Sequence, residues 1–167
     1  LIEITAKEHG IEPERFCWLA LGSEGREEQT IATDQDNGLI LHDGDEAMRE
    51  RMRAFALEIN HALDRCGYPL CKGGVMASNP RWCLTLGECK ARFADWIEHG
   101  DGEALLSASI FFDFRGLAGD TLLAVELRDF VTERAMRNGR FLKQMSDEAL
   151  RNRIPGSWGS DLIEPLL

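Results

Sequence analysis

Two short, mostly apolar segments constrain the fold of this chain more than any other feature of its sequence. They are Phe16–Leu21 and Asn37–Leu41, and each has the length of a β-strand. The first stops at Gly22, and the second stops at the polar turn formed by residues 42–45. Because the first run is apolar throughout rather than alternating, we expect that strand to be covered on both of its faces.

The segment 46–66 has the clearest helical pattern. Its apolar residues recur at spacings of four and three, which places them on one face, and Gly67 stands where a glycine commonly ends a helix. Further helices are predicted by composition, by spacing and by the capping box of Thr85 and Glu88. They span residues 2–9, 85 to about 100, 120–138 and 140–151.

Two other segments complete the predicted order of elements. Residues 68–77 are interpreted as a third strand, although Gly73 and Gly74 weaken the pattern. Residues 103–117 fit either a strand or a helix, and we favour the helix because of their length and their Ala-Leu-Leu-Ser-Ala run. This order predicts an α/β or α+β fold with a small sheet and a helical C-terminal half.

The charge of the chain limits its function. The 167 residues include 29 acidic and 19 basic side chains, for a net charge of −10. Proteins that coat nucleic acid depend on Lys and Arg contacts to phosphates, so the balance disfavours that function. No run approaches the roughly 18–20 apolar residues of a membrane span, and the charged N-terminal segment does not resemble a signal peptide.

The cysteines favour a reducing compartment, and we expect a cytoplasmic protein. They are odd in number and form no C-x-x-C pair, which argues against a disulfide framework. Their spacings match no zinc signature, so we interpret them as small apolar residues of the core. The five are Cys17, Cys66, Cys71, Cys83 and Cys89.

The chemistry of the chain is concentrated between the first two predicted strands. Gly22 allows a ligand to approach the backbone closely, and the hydroxyl of Ser23 with nearby amides can hold phosphate oxygens. Asp34 and Asp36 would project to the same face of a strand, where their charges repel unless a cation lies between them. Paired carboxylates of this kind suit Mg²⁺. If the two strands are neighbours, they enclose a site for phosphoryl or nucleotidyl transfer.

Gly22-Ser23, ten intervening residues and Asp34-Gln35-Asp36 together resemble the signature of the DNA polymerase β-like nucleotidyltransferase superfamily. The fuller string from Gly22 to Asn37 resembles the DUF294 family of nucleotidyltransferases, and it is also similar to the nucleotidyltransferase domain of the PII-protein uridylyltransferase. Strings at residues 71–82 and 111–120 fit the same family, so that the resemblance covers roughly residues 5–150.

The resemblance implies a nucleotidyltransferase palm, in which a small mixed β-sheet is flanked by helices. Gly22 and Ser23 would contact nucleotide phosphates, Asp34 and Asp36 would bind Mg²⁺ and carry catalysis, and Arg26 would face a phosphate. The implied reaction is Mg²⁺-dependent transfer of a nucleoside monophosphate from an NTP to an acceptor hydroxyl. The alternatives are a nucleotide-binding regulatory module without turnover and a dimerisation domain with a vestigial pocket.

The superfamily often has a third carboxylate on a later strand, whereas residues 68–76 contain no acid. Asp113 is a candidate substitute, and the simpler interpretation is an acid that pairs with Arg115 or caps a turn. Several other residues near the motif also have a simpler interpretation. Solvated acids that pair with Arg26 would account for Glu24, Glu27 and Glu28. A position at the surface rather than at a nucleotide would account for Lys72, Asn79 and Arg81, and Trp82 and Trp96 can be core or interface anchors.

The family also implies a domain arrangement. We expect a nucleotidyltransferase-like domain at residues 1–140 and the start of a truncated helical substrate-binding region at residues 141–167. The chain would then be part of a longer bacterial signal-transduction protein, in which CBS and cyclic-nucleotide-binding domains precede it. Its partners would be an NTP donor and a protein or small-molecule acceptor, and neither a nucleic acid nor a membrane.

Overall fold

One mixed sheet organises the computed structural model, which describes residues 1–28, 34–100 and 112–151. Its strands are β1 (Phe16–Leu21), β2 (Asn37–Leu41), β3 (Cys83–Thr85) and β4 (Phe114–Gly119), in the order β3-β2-β1-β4. β1 is antiparallel to both β2 and β4, and β2 is parallel to β3. Both β1 and β2 have the predicted bounds, and every residue of the two strands is buried. The predicted mixed α/β fold is therefore confirmed.

Six helices accompany the sheet in the described part of the chain, and the predicted helices are confirmed to within a few residues. A 3₁₀ turn at Pro13–Arg15 leads into β1. None of the described helices combines the length and the apolarity that a bilayer crossing demands. The helices are α1 (Ile2–Glu8), α2 (Gly22–Gly25), α3 (Glu46–Arg65), α4 (Leu86–His99), α5 (Leu122–Met136) and α6 (Gly139–Arg151).

Helix α3 covers one face of the sheet. It begins where the Asp45 side chain accepts a hydrogen bond from the Met48 amide at 2.9 Å, and it ends before Gly67, which has a φ of +96°. Its buried stripe includes Phe55, whose ring makes edge contacts with Phe16 at 5.3 Å and Trp18 at 6.4 Å between centroids. The spacing of the apolar residues therefore predicted the packed face correctly.

Helices α4 and α5 cover the opposite face. The capping box of Thr85 and Glu88 begins α4 as predicted, and the buried side chains of both helices pack against alternate residues of β1. β1 thus contributes to two apolar clusters, which confirms that it is covered on both faces. The residues of β1 on the side of α4 and α5 are Cys17, Leu19 and Leu21, and those on the side of α3 are Phe16 and Trp18.

The predicted third strand at residues 68–77 is wrong. The segment is a series of turns, in which Gly74 has a φ of +68°, and the short β3 pairs with β2 instead. The Pro69 carbonyl accepts a backbone hydrogen bond from Gln35 and the Val75 carbonyl accepts one from Asn37, which gives isolated contacts rather than a ladder. Gly73 and Gly74 break the extended run, and Val75 and Ala77 pack against the core from a loop.

The helix favoured for residues 103–117 is wrong for residues 114–117, which belong to a strand. Phe114–Gly119 forms β4, so the C-terminal half is not purely helical; residues 101–111 lie outside the described residues. Phe114 is buried against Phe93 and pairs with Leu21 of β1. A cluster of phenylalanines fits a helix or a strand equally well by composition, and here pairing with β1 decides the outcome.

The cysteine interpretation is correct for three of the five residues. Cys17, Cys83 and Cys89 are buried, and burial raises the pKa of Cys17 to about 12, of Cys83 to about 11 and of Cys89 to about 12. Cys66 is exposed and Cys71 is half-buried, so neither is simply a core residue.

Candidate functional site

The two halves of the predicted motif lie side by side. Because β1 and β2 are antiparallel, the end of β1 meets the beginning of β2, and the Leu21 amide donates to the Asp36 carbonyl at 3.0 Å. Gly22 and Ser23 follow Leu21 directly, and Asp34 precedes the strand by three residues. The expectation that these strands are neighbours is therefore confirmed.

The short helix α2 shapes the glycine-serine half of the site. Gly22 is buried with a φ of +57°, a backbone conformation that other residues adopt at a cost. Ser23 is half-buried in the same turn. A Cβ on Gly25 would lie 2.1 Å from the Asp113 carbonyl oxygen, so α2 packs directly against the residue before β4. Gly22 is thus required by its backbone conformation, and Gly25 is required by the close packing.

Asp34, Asp36 and Cys71 form a group that could hold a metal ion. One oxygen of each carboxylate and the Cys71 Sγ all lie within 4.8 Å of one another. The pKa of Asp36 is raised overall, mainly by partial burial and also by the charge of Asp34, whereas a hydrogen bond from the Cys71 thiol lowers it. Burial also raises the pKa of the Cys71 thiol. The carboxylates therefore fit the divalent cation expected from the motif, and the thiol is an addition that the motif did not predict.

A buried amide cluster orients the two aspartates. The side chain of Gln35, between them, is 2% exposed, and its Oε1 accepts a hydrogen bond from Asn60 Nδ2 in α3 at 2.8 Å. The Gln35 Nε2 donates to the carbonyls of Asn60 at 2.9 Å and Tyr68 at 3.0 Å. Because neighbouring residues of an extended segment point to opposite faces, the inward Gln35 directs Asp34 and Asp36 outward.

The same cluster holds the loop that carries Cys71. Asn37 Oδ1 accepts from the Ala77 amide at 2.8 Å and from Asn60 Nδ2 at 2.9 Å. The Asn37 amide donates to the Val75 carbonyl at 3.1 Å. Sequence reasoning missed these amides, although one signal was present. Asn60 follows Ile59 on the apolar face of α3, where an uncharged polar residue needs a buried partner.

Arg26 makes ion pairs in this structure. Its Nη1 lies 2.7 Å from Asp113 Oδ2, and its Nε lies 2.8 Å from Glu28 Oε2, which supports the ion-pair interpretation of Arg26. The simpler interpretation expected Asp113 to pair with Arg115, whereas its partner is Arg26. Arg115 instead places Nη1 3.4 Å from Glu27 Oε1. The contacts hold the loop after β1 against the start of β4.

Glu24 is more closely linked to the site than a solvated loop acid would be. It is half-buried, and its pKa is raised overall. Burial is the main cause and the negative charge of Asp36 adds to it, whereas the positive charge of Arg115 acts in the opposite direction. The Glu24 carbonyl also accepts a hydrogen bond from Arg115 Nη2 at 3.4 Å. Glu27 and Glu28 are exposed, as the simpler interpretation expected.

The remaining candidates lie around the 68–77 loop and beyond it. Lys72 and Arg81 are exposed. Asn79 shapes the local turn, since its Nδ2 donates to the Gly74 carbonyl at 2.8 Å and its Oδ1 accepts from the Arg81 amide at 3.0 Å. Trp82 and Trp96 are partly buried and pack against the core cluster on the side of α4 and α5.

The family comparison agrees with this geometry. The model of the family described as "Putative nucleotidyltransferase DUF294" matches residues 1–103. The matched region includes both halves of the motif and the loop of Cys71. No curated protein and no solved structure shows significant similarity to the chain. Because the family match covers well over half of the chain, this protein belongs to the DUF294 family of nucleotidyltransferases.

Proposed function

We propose that this domain transfers a nucleoside monophosphate from an NTP to an acceptor hydroxyl. The observation that carries the proposal is the hydrogen bond between the Leu21 amide and the Asp36 carbonyl at 3.0 Å. It brings the Gly22-Ser23 turn and the Asp34–Asp36 pair to one end of the sheet. A phosphate-holding turn beside paired carboxylates is what nucleotidyl transfer requires.

In this proposal, Gly22 and Ser23 hold the nucleotide phosphates, and Asp34 and Asp36 hold a divalent cation, Mg²⁺. The cation supplies charge neutralisation at the phosphate groups when it is bound. The acceptor oxygen forms a bond to the α-phosphorus, the bond from that phosphorus to the β-phosphate oxygen breaks, and pyrophosphate leaves. The acceptor proton passes to a base, and Glu24 is the first candidate because its carboxylate is half-buried and the charge of Asp36 acts on it.

The direct test is an assay of the purified chain with labelled NTPs, Mg²⁺ and candidate acceptors. We expect transfer by the wild type, and its loss in Asp34→Asn and Asp36→Asn. Asp129→Asn, an exposed position on α5, is the matched control and retains transfer. Absence of transfer by the wild type, with Mg-NTP binding shown by calorimetry, would overturn the enzymatic proposal.

A second candidate function is a nucleotide-binding regulatory module without turnover. It is favoured by the 68–77 loop, which brings a thiol rather than a third carboxylate to Asp34 and Asp36. In that case Mg-NTP binds and raises the melting temperature, yet remains intact for hours with every acceptor tried. From the family resemblance we also propose a bacterial signal-transduction protein as the context, with CBS and cyclic-nucleotide-binding domains N-terminal to this one.

We further propose that residues 1–140 form the nucleotidyltransferase-like domain and that residues 141–167 begin a helical substrate-binding region. Choice of acceptor would then depend on the remainder of that region. A longer chain that includes it should use an acceptor that the 167-residue chain uses poorly. Equal rates with the same acceptor in both chains would contradict this division.

A further inference from the structure

The group formed by Asp34, Asp36 and Cys71 combines two hard oxygen ligands with one soft sulfur ligand. Mg²⁺ prefers oxygen, whereas thiolates select Zn²⁺ and similar thiophilic ions. We propose that Cys71 is a third ligand of this site, which therefore binds a thiophilic dication of the Zn²⁺ class more tightly than Mg²⁺. The inference rests on the role proposed above for Asp34 and Asp36 as cation ligands.

The distances suit one ion. Zinc bonds to oxygen and sulfur are about 2.0–2.3 Å long, so two ligand atoms on one ion lie at most about 4.6 Å apart. The three ligand atoms lie within 4.8 Å of one another, a separation close to this limit, and the group could hold one ion. A fourth position would stay open for water or a phosphate oxygen, as in zinc sites that bind substrate.

Buried hydrogen bonds of the neighbouring residues Gln35 and Asn37 hold the ligand residues in position. The Gln35 amide donates to the Pro69 carbonyl at 3.0 Å, and Asn37 Oδ1 accepts from the Ala77 amide at 2.8 Å, so the loop is attached on both sides of Cys71. Gln35 and Asn37 alternate with Asp34 and Asp36 along the chain. The polar core therefore positions the carboxylates and the thiol as one unit.

The charges also favour a dication. The Asp34 and Asp36 carboxylates lie close together and repel each other without a cation, whereas the Cys71 thiol keeps its proton and donates a hydrogen bond to Asp36 until a metal replaces that proton. On binding, the sulfur–metal bond forms as the thiol proton passes to solvent, so that binding releases one proton. Family membership independently points to a divalent cation at the Asp-x-Asp pair.

The experiment is a titration of the reduced chain with Cd²⁺, a spectroscopic probe for this ion class, followed by the thiolate-to-cadmium charge-transfer absorption in the ultraviolet. The wild type should show the band at one equivalent. Cys71→Ser should lose it and bind Cd²⁺ at least about tenfold more weakly, since loss even of an outer-shell partner costs about 10–100-fold. Cys66→Ser, which removes an exposed cysteine outside the cluster, is the matched control and keeps both the band and the affinity.

A second measurement uses the wild type alone. Cd²⁺ should protect Cys71, and not Cys66, from alkylation mapped by mass spectrometry, which keeps the test valid if Cys71→Ser fails to fold. An unchanged band in Cys71→Ser, a band lost in Cys66→Ser, or equal alkylation of Cys71 with and without Cd²⁺ would overturn the proposal. If the band is present but no nucleotide is transferred, only the proposed transferase activity fails; transfer with no band contradicts only the thiol ligand.

Discussion

Asn60 Nδ2 lies 2.8 Å from Gln35 Oε1, and this contact joins the centre of α3 to the residue between the two aspartates. Both side chains are at most 2% exposed. A buried amide without a partner is costly, so each of these residues requires the other. The carboxylates of Asp34 and Asp36 are consequently positioned by buried amide side chains.

Asn60→Ala should destabilise the domain. It removes the donor to Gln35 and Asn37 and leaves their buried oxygens short of partners, at an expected cost of about 3 kcal/mol in the free energy of unfolding. Urea unfolding followed by circular dichroism measures this change. His61→Ala, at the next and exposed position of α3, is the control and should change the midpoint little. Equal midpoints for the two variants would contradict a structural role of the amide cluster.

Gly25→Ala should disturb the glycine-serine half of the site. The added Cβ would lie 2.1 Å from the Asp113 carbonyl oxygen, so α2 must shift, at a cost of about 1–3 kcal/mol in stability. Because Gly22 and Ser23 belong to the same short helix, the affinity for Mg-NTP should fall as well. Thermal melting and calorimetry measure the two effects.

The control for that substitution is Gly87→Ala in α4. A Cβ there would meet nothing within 4 Å, and alanine favours a helix over glycine. We expect unchanged or slightly higher stability and unchanged nucleotide affinity. If Gly25→Ala behaves like Gly87→Ala, the close contact between α2 and Asp113 is not a constraint in solution.

Asp113→Asn tests whether Arg26 binds a phosphate. Arg26 pairs with Asp113 at 2.7 Å, so an incoming phosphate competes with that carboxylate for the guanidinium. Removing the competing charge should raise the affinity for Mg-NTP by up to about fivefold, since an exposed ion pair is worth up to about 1 kcal/mol. Arg26→Gln should lower the affinity. Asp129→Asn is the control and should leave the affinity for Mg-NTP unchanged. If Asp113→Asn also leaves it unchanged, Arg26 is only a structural ion-pair partner.

Glu88 should make the stability of the domain pH-dependent. Arg49, followed by hydrogen bonds from Thr85, lowers the pKa of Glu88 from 4.5 to about 2. Because this folded-state value lies below the unfolded one, the stabilisation is present above the unfolded pKa and is lost as the pH falls towards about 2. Glu88→Gln keeps the capping geometry and removes the charge, so it should cost about 1 kcal/mol at pH 7, a figure that allows for the exposure of the side chain.

The measurement is urea unfolding of both proteins from neutral pH to about pH 2. The difference between wild type and Glu88→Gln should disappear at the acid end. Glu50→Gln, an exposed acid on α3, serves as the control and should show a smaller difference that varies little with pH. A difference for Glu88→Gln that is constant over the whole range would contradict the ion pair with Arg49.

Local patterns predicted the elements whose formation depends on near neighbours. The bounds of β1 and β2 followed from continuous apolar runs that end at turns, and α3 followed from one apolar face with an aspartate before it and a glycine after it. The motif of Gly22, Ser23, Asp34 and Asp36 likewise predicted the family correctly. The predictions for residues 68–77 and 114–117 were wrong because the composition of these segments allows more than one structure, and contact with the sheet decides between them.

The sequence by itself thus determined the central pair of strands, the helices that cover them and the family to which the chain belongs. Only the tertiary structure decided that Cys71 joins Asp34 and Asp36, that Asn60 holds Gln35, and that Asp113 pairs with Arg26. The physical reason is separation along the chain. Strands and helices arise from periodicity and capping within a few residues, whereas each of these partnerships joins residues that are 25 or more positions apart. Which distant groups meet depends on how the sheet and helices pack.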